Sequence, residues 1–286
     1  MKPACRWVAR QTAGLRILFF LLLLLVIWAP AALLLTQLGR ALGLQAVTEI
    51  AVYGLLYLEF VALLRVWGHR VYGWRRPLRR CGLSWCWGMG LDFLQALVIG
   101  LFSVFGLFGL EALLGWASSP GLTVAIASIA LEGLLVGLGV GLTEELLFRG
   151  WLLTELEADY GPTMALLVSS AIFATAHFIK PLSDILATLP QFLGLALLGL
   201  ALVWARRTPS HSGPQPRAGL GYPIGLHAGL VWGYYIVSVG QLSRSTGRAP
   251  DWLTGIDGNP LAGLLGLLVM GLIAWRFARV AYPKSG

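Results

Sequence analysis

Two adjacent carboxylates and an arginine interrupt an otherwise apolar stretch, Gly139 to Trp151, as Glu144, Glu145 and Arg149. Ionisable groups at membrane depth are costly, so they are paired, turned to a cavity and retained for a function. Two histidines stand in comparable surroundings, His177 in Ile172-Phe173-Ala174-Thr175-Ala176-His177 and His227 in Ile224-Gly225-Leu226-His227-Ala228-Gly229. Glutamates and histidines on separate apolar segments are the groups that activate a water or hold a metal, and hydrolysis is the chemistry they suggest. On a helix Glu145 and Arg149 are an i, i+4 pair on one face, with the carboxylate on the favourable N-terminal side. Glu144 points about 100° away and is the spare acid, placed to serve as a general base if it faces a cavity. Structural ion pairs and hydrogen-bonded interior histidines are the plainer reading of each residue taken singly. Glu59, Asp92, Glu111 and Glu132 are further acids in or beside apolar segments, and Glu132 is the one that could line the same cavity as Glu144.

The segments that must carry these residues are membrane helices. Apolar residues make up 57% of the 286 and charged residues 12%, about half the charge of a soluble domain, and the mean hydropathy is +0.77. Nearly charge-free windows are expected to cross the bilayer at 17–38, 46–67, 87–114, 121–156, 162–179, 184–205, 220–240 and 260–280. The first is too long for a signal-peptide core and lacks a clean cleavage site. The fold class expected is therefore an all-α integral membrane protein of about eight transmembrane helices, with a polar cavity in the bundle.

Eight spans with the N-terminus inside put 16 of the 21 basic residues on the inner side: Lys2, Arg6, Arg10, Arg16, Arg65, Arg70, Arg75, Arg76, Arg79, Arg80, Arg206, Arg207, Arg217, Arg276, Arg279 and Lys284. Arg40, Lys180, Arg244 and Arg248 fall outside, and Arg149 within a span. That asymmetry explains the net charge of +8 as topology, with attraction to anionic lipid heads, and makes nucleic acid an unexpected partner. Membrane lipids and a peptide or protein are the partners expected. The localisation expected is multi-pass in a plasma or thylakoid-type membrane, with the N-terminus cytoplasmic and the cavity open to the inner face. Cys5, Cys81 and Cys86 match no zinc spacing and no disulfide framework.

No linker separates two domains, so residues 1–286 are expected to form a single integral membrane domain. The polar stretch Thr208 to Arg217, with three prolines, is expected to be a flexible connection, and Gln241 to Pro260 a loop on the outer side. Gly133, Gly137 and Gly141 lie four apart, as do Gly225, Gly229 and Gly233. Small residues at that interval open a groove in which a neighbouring backbone fits closely.

Glu144-Glu145-Leu146-Leu147-Phe148-Arg149 resembles the E-E-x-x-x-R motif of the CPBP family, which comprises intramembrane CAAX prenyl endopeptidases and bacteriocin-processing proteins. Phe173-Ala174-Thr175-Ala176-His177 is similar to its F-x-x-x-H motif. His227 fits the start of the third motif, whose fourth following residue is Asn or Asp in the family and Val231 here. Gly-Leu-His-Ala-Gly-Leu-Val-Trp around His227 is similar to a cyanobacterial and plastid subgroup. The resemblance covers about 121–240. It implies an intramembrane endopeptidase in which Glu144 activates water, while His177 and His227 position that water, bind a metal or stabilise the oxyanion. Glu145 and Arg149 would hold the helix. A divalent metal such as zinc, held by Glu144, His177 and His227, and a metal-free glutamate mechanism both remain open. Trp232, Tyr234 and Tyr235 are candidates for the hydrogen bond missing at Val231. A non-catalytic membrane scaffold of the same fold is the alternative, and a transporter using Glu59, Glu132 and Glu144 the third class.

Overall fold

A computed structural model describes residues 3–121, 124–211 and 219–282. Lys2, Arg217 and Lys284, and 212–217 of the polar stretch, lie outside the described residues. The chain divides into two compact units, one of residues 1–81 with 154–161, the other of 82–153 with 162–286.

The first unit contains α1 (Pro3–Ala9), α2 (Ala13–Ala41), α3 (Gln45–Arg70) and α4 (Pro77–Arg80). Phe20 of α2 packs edge-on against Phe60 and Trp67 of α3. The base of α2 is held by a buried polar knot that uses the 154–161 segment. Arg16 Nε donates to Glu155 at 2.9 Å and its Nη2 to Asp159 at 3.2 Å, the Tyr72 hydroxyl donates to Glu155, and the Ala13 amide donates to Asp159. Burial, and then the charge of Glu155, push the Tyr72 phenol above its ordinary range.

The second unit carries α5 (Trp87–Leu113), β1 (Ala117–Ser118), α6 (Ile126–Glu145), α7 (Leu153–Ala176, of which 154–161 belong to the first unit), α8 (Leu182–Thr188), α9 (Phe192–Arg207), α10 (Gly221–Val239), β2 (Arg244–Ser245), α11 (Asp251–Thr254) and α12 (Leu264–Ala281). The two short strands pair antiparallel, Ala117 opposite Ser245.

Among the described residues, six helical stretches are long and apolar enough to cross a membrane, against about eight expected. One of them, Ile126–Ala176, is 51 residues, which as a straight helix would run about 76 Å at 1.5 Å per residue. It breaks at Gly161, whose φ of 71° and ψ of 174° suit glycine alone, before Pro162, which has no amide hydrogen. The Phe148 and Phe173 rings lie 5.2 Å apart, so the chain has doubled back within this stretch, where two spans were expected. The other difference is α10, 19 residues long but diluted by glycines, tyrosines and His227.

That helix is the axis of the second unit, buried continuously from Gly221 to Gly229. A methyl group on Gly225 or Gly229 would strike the carbonyl oxygens of Phe93 or Leu97 in α5. From the other side, one on Gly137 or Gly141 of α6 would come within 2.7 Å of the Ala228 oxygen or 2.9 Å of the Ile224 oxygen. Both glycine series thus permit backbone contact, α10 lying on α5 by its own glycines and on α6 by those of α6. Gly225→Ala is expected to cost about 1–3 kcal/mol by overpacking, while Gly139→Ala, with nothing within 4 Å of the added methyl, should not lower the unfolding midpoint in detergent.

Candidate active site

The site is assembled where α6 ends. From Leu146 to Leu152 the backbone widens into a π-helix, a rare local form found often at functional sites. Glu145 and Arg149 have no exposed surface and meet at 3.0 Å between Oε1 and Nη1. Arg149 Nη2 donates to the Gly199 carbonyl of α9 at 3.2 Å, and its guanidinium lies 4.1 Å from the Phe173 ring centre. The same Glu145 oxygen accepts from His227 Nδ1 at 2.8 Å. Spacing along α6 reveals the pairing with Arg149; the His227 contact, between residues 82 apart, has no local signal.

Phe173 explains the interval in its motif. Fully buried, it meets Arg149 with its face and the His177 and His227 rings at 4.7 and 6.1 Å. Its carbonyl accepts from His177 Nδ1 at 2.8 Å, four residues on at the end of α7. A carbonyl and a carboxylate only accept, so both histidines carry their proton on Nδ1 and keep Nε2 available. His177 Nε2 lies 3.9 Å from Glu144 Oε2, a carboxylate oxygen with no partner.

Glu144, His177 and His227 line one cavity of about 340 Å³ with Val231, Tyr234 and Asn259. Its walls are mainly apolar, Leu107, Leu195, Leu198 and Met270 among them, so polarity is confined to a few convergent groups. The lining extends to Lys180, Gln191 and Asn259, all in connections at the end that the charge count assigns to the side poor in basic residues.

Among the groups considered for the hydrogen bond missing at Val231, the structure separates three neighbours. Trp232 donates to the Ala130 carbonyl at 2.8 Å and Tyr235 to Glu132 at 3.3 Å, whereas Tyr234, whose hydroxyl donates to the Gly258 carbonyl at 3.4 Å, lines the cavity. Asn259, the single asparagine of the chain, also reaches it. Its Oδ1 accepts from the Leu261 amide at 2.9 Å, which leaves its NH₂ as the free end. Glu132 lies on the exposed face of α6, away from this cavity's lining.

Among the described residues no three His, Cys, Asp or Glu side chains gather closely enough to hold a metal ion. Glu144, His177 and His227 each keep a donor atom toward the shared cavity but do not converge on one point, so the set as placed does not fit a three-ligand zinc site.

Residues 125–233 match the family model described as Type II CAAX prenyl endopeptidase Rce1-like. This stretch is an Rce1-like domain. It contains Glu144, Glu145, Arg149, Phe173, His177 and His227, but not Asn259. A search of curated proteins and one of solved structures each returned no match. The apolar helices and this match together indicate a multi-pass membrane protein.

Removing one member of the buried pair in this domain leaves an uncompensated charge. Arg149→Leu is expected to cost about 3–5 kcal/mol. The double variant Arg149→Leu with Glu145→Gln should recover part of that loss in a double-mutant cycle read by thermal unfolding.

Proposed function

We propose that the chain is an intramembrane endopeptidase in which Glu144 is the general base. The observation that carries this reading is a partly buried carboxylate with an unpartnered oxygen, 3.9 Å from an imidazole nitrogen, inside an apolar cavity. That separation is too long for a direct hydrogen bond and suits an intervening water.

In this mechanism Glu144 removes a proton as the water oxygen adds to the peptide carbonyl carbon. His177 Nε2 accepts the second hydrogen of that water and holds it in line, with His227 Nε2 alongside. The carbonyl π electrons move to oxygen, and the Asn259 amide, joined by the Tyr234 hydroxyl once it releases the Gly258 carbonyl, is the cavity-lining donor for the resulting oxyanion. Collapse of the tetrahedral intermediate breaks the C–N bond, and the proton held by Glu144 passes to the departing amine. Glu145 touches no reacting atom; it orients His227 and neutralises Arg149. No step needs a metal.

Substrate enters from the end of the unit bearing Lys180, Gln191 and Asn259. The excess of basic residues at the other end supports a cytoplasmic N-terminus in a plasma or thylakoid-type membrane. Cysteine-accessibility mapping should find residues 70–80 on the same side as the N-terminus; labelling from opposite sides overturns that orientation.

Glu144→Gln keeps shape and hydrogen bonding but cannot take the proton. It should lower turnover by at least about 10²-fold, the scale of a lost general base, with an unchanged unfolding midpoint. Full-length substrates should then accumulate in membrane proteomes of the variant. Activity in strong chelator should equal that in buffer; loss restored by zinc would reinstate a metal role for the histidines. A glutamine variant that rescues every deletion phenotype would leave the scaffold reading in its place.

A further inference from the structure

A second chamber of about 470 Å³ lies at the same end of the second unit, lined among others by Glu111, Trp116, Gln241, Arg244, Asp251 and Asp257. Tyr234 lines both spaces, so the chamber shares a wall with the proposed cleavage cavity. Glu111 stands two residues before the end of α5, is 4% exposed, and its Oε1 has no hydrogen-bond partner. A carboxylate oxygen sealed from water with no donor is an expensive arrangement that a bound donor would relieve.

The lining is unbalanced in charge. Arg244 is its one basic side chain, and Arg244 Nη2 is already engaged with Gln241 Oε1 at 2.9 Å, facing three carboxylates. A hard divalent ion needs several oxygens within about 2.6 Å of one point, and among the described residues no such group of three exists. Carboxylates spread over a chamber of this size instead suit a cation whose hydrogens point several ways, an ammonium or guanidinium. Phe108, Trp116 and Val237 supply apolar wall for the alkyl stem below such a head.

We propose that this chamber holds the lysine or arginine side chain of a peptide whose backbone occupies the cleavage cavity, with Glu111, Asp251 and Asp257 accepting its hydrogens. The substrate class thus named rests on the endopeptidase reading; the binding itself requires no turnover. The test uses the full chain in detergent, with N-acetyl-lysine methylamide as probe and uncharged N-acetyl-norleucine methylamide as control. Binding is read from the concentration dependence of the unfolding midpoint. The lysine probe should stabilise wild type and the Glu144→Gln variant alike, the control neither, and Glu111→Gln should weaken the response at least about tenfold, the scale of one lost charge-assisted bond. Should Glu111→Gln fail to fold, Asp251→Asn with Asp257→Asn serves with the same expectation. Equal responses to the two probes, an undiminished response in the variants, or stabilisation by calcium chloride with the lysine probe silent would each overturn the proposal. A selective lysine response in a chain whose Glu144→Gln variant retains full function would refute the protease reading and leave the site standing.

Discussion

A guanidinium with no exposed surface has to find its counter-charge and its hydrogen-bond acceptors within the protein. Around Arg149 that demand recruits Glu145 from α6, the Gly199 carbonyl from α9 and the ring of Phe173 from α7. Glu145 in turn draws in His227 from α10. Four helices are thereby tied to one charge. The two groups assigned to the chemistry, Glu144 and His177, sit one residue and one helical turn away from members of that cluster. A rigid charged knot beside a more exposed acid is how a site can keep one carboxylate inert and the next one available.

Glycine completes the arrangement by a different physics. The ion-pair cluster fixes side chains, whereas the contacts of α10 with α5 and α6 fix backbones, without intervening side chains to repack. His227 therefore stands on an element held from two sides, and its ring is aimed by Glu145. The apolar cavity walls then confine polarity to a handful of groups, a condition in which each hydrogen bond counts for more than it would in water.

What was legible in the sequence was whatever depended on local spacing. The i, i+4 relation of Glu145 and Arg149 and the two glycine series both follow from helical geometry that neighbours cannot change. The gathering of Glu144, His177 and His227 on one cavity was legible more weakly, from the cost of leaving each alone in hydrocarbon. Long-range partners were not. Arg16 reads as a loop charge, yet it is buried against Glu155 and Asp159. Trp232 and Tyr235 read as donors free to face inward, yet both are spent on α6. Asn259 lies outside the helix where an amide would be sought and reaches the cavity only because the turns before α12 bring it there. The π-helical widening after Glu145 has no marker in composition.

Contact on two faces leaves α10 no freedom to slide along its axis. A slip of one residue, about 1.5 Å, would carry β-carbons into positions now open only because glycine occupies them. A bilayer thinner or thicker than this unit must accordingly be met by tilting the unit or deforming the lipid, since the helix carrying His227 cannot shift its register. The depth of the cavity is then a length measured from the protein's own rim, the same in every membrane that holds it.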